Sequence, residues 1–116
     1  MLKLLLILII IDIIYFKIYN YSLISKLVKD VTNKDIKLNY IGFLAYIFLS
    51  YGLYYFIIKE NKNYKDAFIL GVIIYGAYDF TNIAVFSKYD LKFAIVDTIY
   101  GGILLALTTY IYKLIN

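Results

Sequence analysis

Three aspartates stand inside stretches that otherwise read as lipid-soluble: Asp12 in LLLILIIIDIIYF, Asp79 in GVIIYGAYDFTN and Asp97 in FAIVDTIYGGILLAL. An ionisable group at bilayer depth costs from about 2.5 to over 10 kcal/mol, so each needs a partner, a proton or a ligand. Three carboxylates close together in low dielectric cannot all stay charged, because desolvation and mutual repulsion both oppose it. No lysine lies at the same depth to neutralise them, although Lys17 and Lys92 are near enough to reach partway. The chemistry open to such a group is proton carriage, binding of a hard cation through oxygen, or hydrogen bonding between helices.

Neighbouring residues sharpen the site. Tyr75, Asp79 and Asn82 share one helical face, with Tyr78 and Thr81 alongside. Ala94, Asp97, Gly101 and Thr108 form a small, polar stripe that lets another backbone approach, with Tyr100 beside it. Gly42, Ala45, Leu49 and Gly52 repeat the small-residue pattern, and Leu8, Asp12, Tyr15 and Tyr19 present the first acid. The candidate binding residues are therefore Asp12, Tyr75, Tyr78, Asp79, Thr81, Asn82, Asp97, Tyr100 and Gly101. Most of the fifteen tyrosines flank apolar segments, where an interfacial aromatic belt accounts for them.

The elements that must position these groups follow from composition. The chain has 116 residues, enough for one domain, and 64% are hydrophobic. Its mean hydropathy is +0.79. A soluble fold of this size buries too little surface to hide so much Ile, Leu, Phe and Tyr. A lipid bilayer is the expected solvent. There is no Cys and no His, which removes disulfides, thiolate metal sites and the commonest general base. No cofactor is expected. All twelve basic residues are lysine. They cluster beside apolar segments, a pattern of membrane topology and anionic headgroups and not of nucleic acid.

Four segments have the roughly 20 apolar residues that a helical span needs: 2–20, 40–58, 67–86 and 93–113. No ten-residue alternation suggests a β-barrel. The expected fold is all-α, an integral membrane four-helix bundle with antiparallel hairpins at 59–66 and 87–92. The first segment lacks a small-residue cleavage site and is read as an uncleaved span. Between the first two spans, Leu23, Ile24, Leu27, Val28 and Val31 oppose Lys26 and Lys29, the pattern of a short helix lying in the interface or of a plain amphipathic connector. Lysines divide almost evenly between the two sides, so the positive-inside rule gives no orientation. Antiparallel threading places Asp12 roughly 1–2 Å, Asp79 roughly 4 Å and Asp97 roughly 9 Å from their span midpoints toward the same side, at about 1.5 Å rise per residue.

Taken in order, Ile11-Asp12-x-x-Tyr15, Tyr75-Gly76-x-Tyr78-Asp79-x-Thr81-Asn82 and Val96-Asp97-x-x-Tyr100-Gly101 resemble a family of small four-span membrane proteins. That family, of bacteria and large DNA viruses, is the domain of unknown function numbered twenty-one seventy-seven. The resemblance covers nearly the whole chain. It implies a multi-pass protein of a bacterial inner membrane or a viral or host membrane, with no assigned activity. Tryptophan is usual in the family where this chain has Tyr15 and Tyr100, and the family's proline after the second span is replaced by IIKENK.

Three functions stay open on this reading. The first is binding or translocation of a proton, small cation or polar solute at the aspartates, with oligomerisation thickening the wall of a thin bundle. The second is a structural or accessory role in a cellular or virion membrane. The third is an intramembrane enzyme acting on lipid, against which stand the missing His, Cys and Arg. The topology is directly testable: single cysteines placed within 59–66 and within 87–92 should react with impermeant reagents from opposite sides of sealed vesicles. Labelling of both from one side would exclude the four-span arrangement.

Overall fold

The computed structural model describes residues 1–17 and 42–116, and these are helical with no strand among them. Helix α1 spans Leu2–Tyr15. Helix α2 spans Phe43–Leu53 and runs on into a π turn at Tyr54–Ile58. Helices α3 and α4 span Tyr64–Val85 and Leu91–Ile115. The amphipathic segment at 22–31, Tyr19, and the adjoining ends of the first two expected spans lie outside the described residues. Of the described helices, α3 and α4 are long and apolar enough to cross a membrane; Phe43–Ile58 is a shorter apolar helix.

Both long helices begin before the apolar segments predict, α3 three residues early and α4 two, because capping side chains set the start. Asn63 Oδ1 accepts from the backbone N–H groups of Lys65 and Asp66 at 3.0 and 3.2 Å. Asp90 Oδ1 accepts from that of Lys92 at 3.0 Å. Each cap satisfies donors that a helix start leaves open. Hydropathy locates what lipid tolerates, whereas the polar residue just outside decides where the backbone turns helical.

Residues 86–90 fold α3 and α4 into an antiparallel hairpin, the most extensive packing in the described structure. Helix α1 lies against α4, and α2 packs on α1. Leu4, Leu8, Leu53, Ile57, Ala67, Tyr100, Leu104 and Leu105 form the shared core. The hairpin is tight because three glycines meet. A methyl group built on Gly71 would overlap the Gly101 carbonyl and lie 2.8 Å from Gly102 Cα, and one on Gly102 would lie 2.8 Å from Phe68 and Val72. The expected small-residue face of α2 behaves differently. Among the described residues nothing lies within 4 Å of a methyl added at Gly42 or Gly52, while Leu49 on the same face packs against the core.

Polarity is inverted relative to a soluble fold. Ser50, Asp79, Thr108 and Thr109 are fully buried, while Phe48 is 77% exposed and Ile73 61%. Thr108 and Thr109 satisfy themselves by donating to the Leu104 and Leu105 carbonyls at 2.7 and 2.9 Å. An apolar exterior around polar interior groups is what a hydrocarbon solvent selects.

The glycine contact gives a stability test. Gly71→Ala forces backbone against backbone and should destabilise the bundle by about 1–3 kcal/mol or more. Gly52→Ala meets no described atom within 4 Å and should be neutral or stabilise by up to about 1 kcal/mol, since alanine is the better helix former. Thermal unfolding in detergent checks both.

Candidate functional site

The geometry of the hairpin explains why two acids meet. Asp79 and Asp97 lie nine residues on either side of Lys88, the middle of the turn. Each is six residues inside its helix end, Val85 or Leu91. An antiparallel pair therefore brings them to the same height, roughly 9 Å below the helix ends at about 1.5 Å per residue. Asp79 is completely buried. The Asp97 carboxyl lies within interaction reach of it. An ionised carboxylate only accepts, so two carboxyls can bond to each other only with a proton between them.

The remaining bonds to Asp79 come from hydroxyls. Tyr89, in the turn, donates from its phenol to Asp79 Oδ1 at 2.8 Å. Thr98 Oγ1 donates to Asp79 Oδ2 at 3.4 Å, a long bond. The Asn82 side chain faces the same Tyr89 hydroxyl. Burial under the turn, and then the bond to Asp79, push the Tyr89 phenol above its ordinary range, so it remains a donor at physiological pH. Tyr89 thus links the buried pair to the turn.

Asp12 forms a second node. Tyr46 Oη donates to its Oδ2 at 2.5 Å and Tyr100 Oη to its Oδ1 at 2.8 Å. The acid comes from α1, the donors from α2 and α4, so one carboxyl ties three helices together. Tyr100 stacks on Tyr15, with ring centroids 3.6 Å apart and planes 13° from parallel. Tyr75 meets Tyr100 edge-on at 6.4 Å. Tyr75 lies within electrostatic reach of Asp12, Asp79 and Asp97 and stands between the two nodes. It fits there because Gly101 has no side chain: a methyl at Gly101 would overlap the Tyr75 ring.

The structure thus brings together Asp12, Tyr75, Asp79, Asn82, Asp97, Tyr100 and Gly101. It does not bring in Tyr78 or Thr81. Tyr78 is 65% exposed on the outer surface. Thr81 is exposed and donates to the Ala77 carbonyl of its own helix at 2.6 Å. Both sit on the residue steps of α3 that rotate away from α4, a distinction that proximity in sequence hides. Sequence reasoning missed Tyr46, Tyr89 and Thr98. Tyr46 and Tyr89 sit near span ends, where the belt explanation covered them, whereas Thr98 adjoined a flagged aspartate and was the legible one. Among the described residues no three acids gather as a metal site. The Asp12 and Asp79 oxygens accept from hydroxyls.

This arrangement can be set beside known proteins. The family described as "Predicted membrane protein (DUF2177)" matches residues 1–113. The chain belongs to that family. The DUF2177 match runs through α1, α2, α3 and nearly all of α4, so both polar nodes fall inside it. No curated protein and no solved structure matches the chain.

The Asp12 node makes a separable prediction. Tyr46→Phe and Tyr100→Phe each remove one donor between helices, worth about 0.6 to 1.7 kcal/mol within a membrane protein. Because both serve one carboxyl, the double variant should lose measurably more or less than the sum. Unfolding free energies of the two single variants and the double variant in bicelles test this, and strict additivity would show that the two bonds act independently.

Proposed function

We propose that this is a multi-pass membrane protein that binds a proton at the Asp79–Asp97 carboxyl pair and passes it along the polar interior of a four-span bundle. The observation that carries it is the placing of two carboxyls at one height of the hairpin, one of them fully buried, an arrangement that a shared proton would favour. From the turn inward the polar groups follow as Tyr89, the acid pair, Tyr75, Tyr100, Asp12 and Tyr46. Groups of this kind mark proton relays inside membranes. The long axis of 44 Å matches a bilayer with its headgroups, about 40–45 Å thick.

The line covers the half of the bundle nearer the turn. Beyond it stand Leu4, Leu8, Leu104 and Leu105. Proton binding from the turn side is thus the resting activity, and passage across needs a change of shape or a second copy of the chain. A cation in place of the proton finds less support, because hydroxyl donors occupy the carboxyl oxygens.

A structural role is the second reading, and the Asp12 node favours it: two phenols from two helices on one carboxyl make a fastening. We assign Asp12 to holding the bundle and the Asp79–Asp97 pair to the proton. Lipid-modifying chemistry is less supported, since the apolar groove on the hairpin is lined by residues 64–69 and 103–110, toward the end remote from the acid pair.

Asp79→Asn separates these roles. It keeps size and hydrogen bonding and removes the ionisable group, so the bundle should stay as stable or gain, while proton flux into reconstituted vesicles disappears. If Asp79 were an ionised structural hub, the same change would weaken the fold, because charge-assisted bonds are about twice as strong as neutral ones. A destabilised variant with full flux would overturn the proposal.

A further inference from the structure

One surface feature has no part in the polar interior. Between α3 and α4, on the outer face of the hairpin, an open groove of about 640 Å³ is lined by Phe68, Ile69, Ile103, Ala106, Leu107 and, at its outer end, Tyr64, Tyr110 and Lys65. Its body is hydrocarbon. The Tyr64 and Tyr110 rings meet edge to face at 6.1 Å and close that end on one side. At the inner end the glycine contact of Gly71 with Gly101 and Gly102 draws the two backbones together and ends the groove.

Charge is not spread evenly along it. Lys65 is exposed in the first turn of α3 and is the one charged residue lining the groove among the described residues. Around that rim Lys59, Lys62 and Lys113 are also exposed, and the Lys113 ammonium is held over the turn by the Lys62 carbonyl at 2.5 Å. Lys3 reaches Asn116 at 2.9 Å and adds a further cation at the same end. Asp66 and Glu60 are the acids near this rim, so lysine prevails. An apolar slot opening at a belt of tyrosine and lysine has the layout of one acyl chain below an anionic headgroup.

We infer that this groove is a binding site for an anionic glycerophospholipid, with one acyl chain between α3 and α4 and the phosphate against Lys65. The inference rests on the membrane placement of the hairpin and is independent of the proton reading. Shape alone would suit a neutral lipid equally well, and what selects the anionic one is the lysine rim. A second copy of the chain would bring an identical lysine rim toward the first, which like charges oppose.

The test uses full-length protein in detergent, titrated with phosphatidylglycerol or phosphatidylcholine of equal chain length and read by native mass spectrometry. Phosphatidylglycerol should bind about fivefold more tightly, near what one lysine at an anionic surface contributes. Lys65→Gln should abolish the preference while still binding both lipids weakly through the groove. Ala106→Phe, which fills the groove from α4, should reduce binding of both. Lys88→Gln, in the opposite turn, controls for overall charge and should change nothing. Equal affinity of the unmodified protein for the two lipids would overturn the inference. So would Ala106→Phe disrupting a dimer while leaving lipid binding intact. If Ala106→Phe fails to fold, the Lys65→Gln and Lys88→Gln pair still decides the matter, because a preference surviving in Lys65→Gln also overturns it.

Discussion

The close approach of α3 and α4 at Gly71, Gly101 and Gly102 is the constraint on which the rest depends. In hydrocarbon, helices gain little by hiding apolar surface from solvent, so they associate through close contact and through hydrogen bonds. Three glycines supply the first and make the second reachable. With the backbones this near, Asp79 can touch Asp97, and Tyr75 can occupy the space over Gly101 between the two polar nodes. A hairpin held further apart would cost Asp79 its contacts with Thr98 and Asp97 on α4, leaving Tyr89 of the turn as its donor.

The polar groups form two units of different character. At Asp12 a single carboxyl receives two phenols from different helices, and both oxygens are satisfied. At Asp79 the partners are two hydroxyls and a second acid, Asp97. The first resembles a rivet and the second a pairing of acids, with the Tyr75 and Tyr100 rings packed edge to face between them.

Much of this was legible in the sequence, and the reasons for the rest are specific. The three aspartates announced themselves because lipid tolerates charge so poorly, and the inward faces of α1 and α4 followed from helical spacing: Leu8, Ala94, Gly101 and Thr108 are all buried. Side-chain direction on α3 was harder. Tyr78 and Thr81 adjoin Asp79 and Asn82 in the chain, yet one residue step turns a helix by about 100°, and they emerge on the exterior. The tyrosine donors were hidden by their own abundance, since a belt residue and a hydrogen-bond donor carry the same letter. On α2 a stripe of small residues permits close approach but does not name the helix that approaches: Leu49 packs on the core, and Gly42 and Gly52 meet no described atom within 4 Å.

The placing of Asp79 and Asp97 at equal distances from Lys88 makes the helix between each acid and the turn a ruler. Adding or removing one residue inside either helix, between its acid and the turn, would move that carboxyl by about 1.5 Å and rotate it by about 100°. The two carboxyls would then miss each other although neither had been altered. The number of helical residues between each acid and the turn is therefore as much a part of the site as the acids themselves, and within the turn Tyr89 and Asp90 are tied to the site and to the start of α4.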